Sequence, residues 1–491
     1  MSIVSTLFSF PILTLLAATE TILGVKVLQC PNNLQSRLIF TTVVVLINYG
    51  VGLLFWLFLH PRFLSPLRHI PGPRAFFSDT LRAIIVKDGP SGNRFLRLAK
   101  KYSAQDMIVL NVAGTEIFVT NPRLLADVLV NNCYDFTKPT KVSSFLRHIL
   151  GDGLIIVEGD EHKFLRKNTM PAFQFRHIKN LYPMMWTKAE ALVNALTQEI
   201  APDPIDEGQD SAVVDLTFWA SKITLDIIGV AGLGHDINTI EKSGDPLHEI
   251  YTKLLDPTPE KLVYSMLGLG FGMKFANTAS RHETTASALT WACYLLAKQP
   301  EIQRKVREEV LESITPGVTG GLISDLAGNL EQLPYLNGTI NETLRLYPTV
   351  PMIQRQAIRD TQIGKQFIPK GTTIAISIWY VNRCPDFWGP GACEFRPERW
   401  VTNDLKPNQN GGASSNYDFL TFSRGPRNCI GQGFAKAEMR CLLAAMAMSF
   451  TWDLAMDDKK VVPRGVITIK PENGMYLRLT PLRKNTSQGI R

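Results

Sequence analysis

Ten residues near the carboxyl end, Phe422-Ser-Arg-Gly425-Pro-Arg427-Asn-Cys429-Ile-Gly431, place one cysteine in a glycine-hinged, arginine-flanked loop. An apolar, helix-like run from Gly433 to Phe450 follows at once. Each residue type has a physical use there. Gly425 and Gly431 permit turns and close backbone approach that a side chain would block. The amides and dipole at the start of the following helix would stabilise a negative sulfur and tune a metal bound to it. Arg427 offers a planar fork for a carboxylate, and Phe422 is placed to keep water off the sulfur. The plainer alternative, a buried structural cysteine beside a turn, suits an isolated cysteine better than the whole pattern.

Such a loop can hold a thiolate against haem iron, where it pushes electron density onto the metal and favours O–O cleavage. The stretch resembles the haem-binding signature of the cytochrome P450 family, Phe-x-x-Gly-x-Arg-x-Cys-x-Gly, at every fixed position. The resemblance runs from about Pro71 to the end, because further motifs recur in that family's order, and its flavour is that of eukaryotic microsomal members, fungal ones in particular. It implies a mainly α fold with small β-sheets (α+β), the cytochrome P450 haem-thiolate fold with an N-terminal transmembrane anchor. It also implies haem b with Cys429 as axial iron ligand, Phe422 and Gly431 beside it, and Arg427 on a haem propionate.

Other motifs gain meaning only in that context. Glu342-Thr-Leu-Arg345 sets a carboxylate and a guanidinium on one helical face; alone it reads as a surface ion pair. With Arg399 from Phe395-Arg-Pro-Glu-Arg399, the resemblance makes it the interlock that braces the haem core. Such a network must be satisfied throughout. Arg355 matches the family's propionate-binding arginine, with a solvated arginine as alternative. Gly159-Asp-Glu-His162-Lys-Phe-Leu-Arg166 matches the helix at the haem edge, with Arg166 and His162 as propionate partners; for His162 an ordinary core role is the rival. His282-Glu283-Thr284-Thr285 matches the oxygen-activating helix, where Glu283 and Thr284 would relay protons. Without the family this reads as a helix cap with an acidic first turn.

One stretch departs from the pattern. Before His282 the chain reads Ala279-Ser280-Arg281, so Arg281 stands where the family has glycine and would crowd the oxygen pocket with a charge. Leu267 to Asn277 carries too many glycines for the front of a long helix. The span from Arg166 to Thr284 is short for the family by roughly fifty residues, beyond ordinary loop variation. An exon lost from the gene model or transcript and a naturally altered protein both account for it.

The chain has 491 residues, 45% apolar and 20% charged, a globular balance with room for a large core. Its net charge of +8 suits anionic lipid or an acidic protein. Nucleic acid is excluded as a partner by the lack of zinc-finger spacing, Walker loop or basic stripe with aromatics. Seven cysteines in no regular frame suit a reducing compartment. Residues 38–59 form an unbroken apolar run of bilayer length, the expected main span; a buried core helix is the alternative. Residues 3–23 form a second apolar stretch interrupted by Glu20: another span, a re-entrant segment or a signal-like region, with a cleaved secretory signal disfavoured by the lack of a basic leading segment. Arg62 and Arg68 place the rest on the cytoplasmic side, whereas Lys26 and Arg37 would face the lumen if both segments cross.

The expected organisation is an anchor over 1–60, a proline-rich hinge over 61–74 and a catalytic domain over 75–491. Strands are expected at Met107–Val112, Glu116–Thr120 and Thr372–Trp379, with a terminal hairpin of Val466–Ile469 and Tyr476–Leu479. Helices are expected at Pro122–Asn132, Thr284–Lys298, Glu301–Ser313 and Pro334–Leu346. By resemblance, the function is monooxygenation of a lipophilic small molecule in fungal secondary metabolism, terpenoid or polyketide-derived. Electrons would come from NADPH through NADPH–cytochrome P450 reductase, with cytochrome b5 as a second donor. The site would be the endoplasmic reticulum membrane with a cytosolic domain. Arg424, Arg427, Lys436 and Arg440 offer a basic docking face, or simply a solvated helix surface. Rival readings are a reductase-independent isomerase or dehydratase of the same fold, a truncated or inactive haem-binding protein, and a tethered binding protein without haem.

Overall fold

The computed structural model describes residues 10–27, 34–73, 92–103, 105–111, 115–200, 211–241, 283–314, 325–465 and 467–482. Arg281, His282, Leu267 to Asn277 and Val466 lie outside them. Two apolar helices open the chain, α1 (Phe10–Val27) and α2 (Leu34–Leu54), the second passing into a π-helical turn over Phe55–Leu64. Then come α3 (Asn93–Lys101), α4 (Thr140–Leu150), α5 (Gly159–Thr169), α6 (Phe175–Ile200) and α7 (Leu216–Ile228). The later helices are α8 (Glu283–Ala297), α9 (Pro300–Ile314), α10 (Leu326–Gln332), α11 (Pro334–Leu346) and α12 (Gln432–Ser449).

α12 is the hub, packed by α6, α8, α9 and α11. Its sequence explains both the helix and the position. Alanine, leucine and methionine are strong helix formers. Buried Ala437, Ala444, Ala445 and Ala447 let neighbouring helices approach closely. Pro300 and Pro334 open α9 and α11, where the missing N–H costs nothing. Glu309 on α9 accepts hydrogen bonds from the Tyr335 and Leu336 amides at 2.8 Å each, capping α11 from its neighbour.

A second core forms around a five-stranded sheet in the order β1-β2-β8-β5-β3. Its strands are β1 (Met107–Asn111), β2 (Thr115–Val119), β3 (Phe136–Thr137), β5 (Met352–Ala357) and β8 (Thr373–Ser377). β2 and β8 run parallel and the other pairs antiparallel. A three-stranded sheet joins β4 (Ala212–Asp215), β12 (Tyr476–Pro481) and β9 (Phe450–Leu454). Two-stranded ribbons pair β6 (Thr361–Ile363) with β7 (Gln366–Ile368) and β10 (Pro463–Arg464) with β11 (Lys470–Pro471).

Three expectations need adjustment. Pro122–Asn132 is helical as far as Asn131, as expected, but it runs from a 3-10 turn at Pro122–Leu124 into a π turn at Asp127–Asn131. Thr373–Ser377 ends as a strand before Trp379, which lies in a helical turn that Ser377 caps through the Tyr380 amide. The terminal hairpin does not form. Ile469 donates its N–H to the Thr349 carbonyl, and its own carbonyl accepts from Ser287 on α8, so this segment is fastened to the helical core. Tyr476–Pro481 pairs instead with β4 and β9.

The outer edge of β9 is closed by a side chain. Gln303 on α9 donates to the Trp452 carbonyl at 3.0 Å and accepts the Trp452 N–H at 3.2 Å, standing in for a further strand. Gln303→Ala strands both groups in a buried setting, at about 1–3 kcal/mol each when left unpaired. Urea unfolding of the detergent-solubilised chain should show stability reduced by about 2–4 kcal/mol. An unchanged midpoint would mean that the edge is satisfied some other way.

Candidate active site

The cysteine loop is closed by its own backbone. The Cys429 N–H donates to the Phe422 carbonyl at 2.8 Å and the Asn428 N–H to the Gly425 carbonyl at 3.0 Å. Gly425 is required twice over: its φ is 76°, and a Cβ would stand 2.0 Å from the Leu129 carbonyl oxygen. The Cys429 thiol is lodged in protein yet open on one side. Burial raises its pKa, while the Gly431 amide hydrogen bond and the Arg166 cation pull it down. Gly431 differs from the expectation of a forced turn. Its φ of −86° suits any residue, and a Cβ would meet nothing nearer than Phe173 at 3.8 Å and the Cys429 Sγ at 4.0 Å. Phe422 packs against the helical core, with the Lys436 ammonium 5.8 Å from its ring centroid.

Beside the loop lies a crowd of cations. Arg427 pairs with Glu158 at 2.6 Å and donates to the Phe136 carbonyl at 3.0 Å. Lys138 reaches the same carboxylate at 3.1 Å. Arg355, on β5, is buried; desolvation foremost, then Arg427, brings its guanidinium down to about 10. His162, on α5, is buried, and desolvation first, then Arg427 and Lys138, lowers its pKa. Its Nδ1 has no hydrogen-bond partner among the described residues, nor has Arg427 Nε. Arg166 clamps the loop itself, donating to the backbone carbonyl and side-chain oxygen of Asn428. Arg427, Lys138 and Arg355 thus surround one carboxylate, Glu158. Glu158 and Lys138 escape sequence reading because they pair only once the chain has folded.

Below the loop is a buried ion pair. Glu342 and Arg345, both without solvent exposure, form two parallel hydrogen bonds of 2.8 Å. The carboxylate also accepts from Trp400 Nε1 at 2.8 Å and the Arg396 N–H at 3.0 Å, with Arg399 Nε at 3.4 Å. Arg345 spends its other protons on the carbonyls of Asn382, Ala392 and Glu394. Asn382 carries the order upward: it donates to Arg345 O and Thr421 Oγ1 and accepts the Leu420 N–H, directly before the cysteine loop.

α8 begins at Glu283, whose side chain lies outside the described atoms; Thr284 is half-buried and Thr285 buried. Burial pushes the Glu438 carboxyl of α12 up to about 8, and the neighbouring Thr285 offsets this only in part. Glu438 Oε1 has no hydrogen-bond partner among the described residues. Sequence reading missed this buried acid, although the signal was present: one acid, Glu438, inside the apolar run Ala435 to Met448. The expected basic docking face is not assembled. Arg427 lies in the cation crowd, and Arg440 is committed to Asn337, Tyr182 and Glu331. Burial foremost, then Arg440 and Arg424, brings Lys436 down to about 7.

A model of the cytochrome P450 family matches residues 79–257 and 278–478. The cytochrome P450 monooxygenase sphH of Aspergillus fumigatus is 34% identical, covering 90% of this chain and 94% of that protein. A cytochrome P450 monooxygenase of Gibberella zeae is 31% identical, covering 87% and 91%, and buaD of Petromyces alliaceus 30%, covering 95% and 98%. The chain belongs to the cytochrome P450 family, and its class is that of the fungal monooxygenases. The family match pauses between 257 and 278, and the Aspergillus alignment spans 520 positions although this chain has 491 residues.

That family carries a haem, and the residues fit one. The excess of buried positive charge calls for anions such as two propionates, and the space beside the sulfur would be narrowed by any side chain at Gly431.

Two outcomes follow from these contacts. Arg345→Ala strips the buried Glu342 of its bidentate partner, so stability in urea should drop by about 3–5 kcal/mol; a smaller loss would mean that Trp400 and Arg399 suffice. Glu438 keeps its proton up to about pH 8 when folded, against an ordinary value of 4.5. Folding is therefore progressively weakened as pH rises through that window. Relative to the parent, Glu438→Gln should gain about 2–4 kcal/mol between pH 5 and pH 8; parallel stability curves for the two proteins would contradict the buried neutral acid.

Proposed function

We propose that this chain is a haem-thiolate monooxygenase with Cys429 as the axial ligand. The observation that carries the reading is Cys429, exposed in a loop closed by the Phe422 carbonyl and set beside cations that outnumber their carboxylate. Haem, when bound, supplies the oxygen-activating and electron-accepting chemistry. Arg355, Arg427, Lys138 and His162 would hold its propionates. Arg166 acts one step removed, fixing Asn428 and so the loop. Glu283 and Thr284 start α8 and would move protons toward the oxygen side.

Electrons would come from NADPH through a membrane-bound reductase, with cytochrome b5 as second donor. The substrate would be a lipophilic small molecule of fungal secondary metabolism, terpenoid or polyketide-derived, reached from the bilayer. Residues 1–60 would anchor the chain in the endoplasmic reticulum membrane, 61–74 would form the hinge and 75–491 the cytosolic catalytic domain. Support for the anchor comes from Gln35–Leu54, long and apolar enough to cross a membrane and almost wholly outside the core. Leu216–Leu233 passes the same test of length and composition, but more than half of it is buried in the core.

A second reading is favoured by the interrupted family match: a haem-binding chain that does not turn over, because the segment ahead of Glu283 is altered. The reduced, carbon-monoxide-bound absorption spectrum of membranes containing the chain tests the main proposal. A thiolate-type band is expected, and Cys429→Ser should abolish it. A folded chain with no such band, or a serine variant that keeps it, would sink the assignment. The band without NADPH-dependent product would select the second reading.

A further inference from the structure

The amino-terminal helices are packed on each other, and their contacts run antiparallel. Leu13 lies against Gly52 and Gly24 against Phe40; a Cβ on either glycine would stand 2.5 Å from its neighbour, so glycine permits the close approach. Two polar pairs sit in the seam. Asn48 donates to Glu20 Oε2 at 2.6 Å, and the Thr14 and Tyr49 hydroxyls share a hydrogen bond of 2.7 Å. Leu13 and Ala17 are buried against α2, whereas Leu15, Leu16, Ile22 and Leu23 point outward.

Those facts decide between two placements for α1. A helix lying flat on a membrane needs one apolar and one charged face. Among its described side chains α1 shows no charged face: its one acid is bonded to Asn48 of α2, and Leu15, Leu16, Ile22 and Leu23 are exposed. Its apolar stretch is Pro11–Gly24, and the full 18 residues, about 27 Å long, approach the hydrocarbon thickness of about 30 Å only if Lys26 near its end reaches the interface. An acid within a span must face a partner inside the bundle, and Asn48 supplies that hydrogen bond.

We propose that α1 crosses the bilayer as α2 does. The pair is then an antiparallel double span clasped by Glu20 and Asn48, its outer apolar surface against lipid acyl chains. Both open ends lie on the side of the catalytic domain. This rests on the anchor reading above and goes beyond it in fixing where the chain's first residues are.

The test uses microsomes from cells expressing the full chain with an Asn-x-Thr reporter on a flexible spacer. The reporter is placed either ahead of Met1 or between Val27 and Leu34. Glycosylation is expected only for the second position. Modification of the reporter ahead of Met1 would overturn the double span, and so would an unmodified reporter in the link. An alkaline carbonate wash keeps the two readings apart: release of the chain defeats the anchor itself, whereas retention with a glycosylated amino end defeats only the hairpin. In Asn48→Leu, the glycosylated fraction of the reporter ahead of Met1 should rise several-fold; no rise would remove the Glu20–Asn48 clasp from the proposal.

Discussion

A carboxylate sealed from water must be answered on every lone pair, and Glu342 is the point from which order spreads in this protein. Arg345, Trp400, Arg399 and the Arg396 amide converge on it. A pair buried so fully contributes little net stability, since desolvation consumes most of the Coulomb gain. Its effect is geometric. Arg345 leaves no freedom to the carbonyls of Asn382, Ala392 and Glu394, and Asn382 in turn fixes Leu420 and Thr421. The cysteine loop begins at the next residue. The thiol is therefore positioned by an ion pair it never touches.

The same logic, with opposite sign, governs the loop's other side. There the protein gathers arginine, lysine and histidine around Glu158 and leaves ring and guanidinium nitrogens without acceptors among the described residues. Such an arrangement is costly for a fold on its own. It becomes sensible once an anionic group with its own oxygens arrives. The excess charge and the open flank of Cys429 point to one and the same guest.

The sequence made local things legible. The Cys429 loop, the Glu342–Arg345 spacing and the prolines opening α9 and α11 could be read because each signal fits within a few residues. Pro334–Leu346 came out with the expected limits. The failures were long-range. Val466–Ile469 looks like a strand by composition, yet Thr349 and Ser287 claim its backbone. Arg440 looks free on a helix surface, yet Tyr182 and Glu331, far away in sequence, occupy it. Lys138, Glu158, Asn382 and Glu438 acquire roles only through partners on other elements. No periodicity reports that. The family break ahead of Glu283 was visible as a shortage of residues and a surplus of glycine, because both are properties of composition.

Gly431 shows what this division of labour means for heritable change. Its backbone is ordinary, and its Cβ position is unobstructed. Nothing in the polypeptide alone asks for glycine there, in contrast to Gly425. Pressure to keep position 431 bare would have to be transmitted through the guest at the sulfur. A lineage that stopped using that guest would be expected to let 431 drift long before 425.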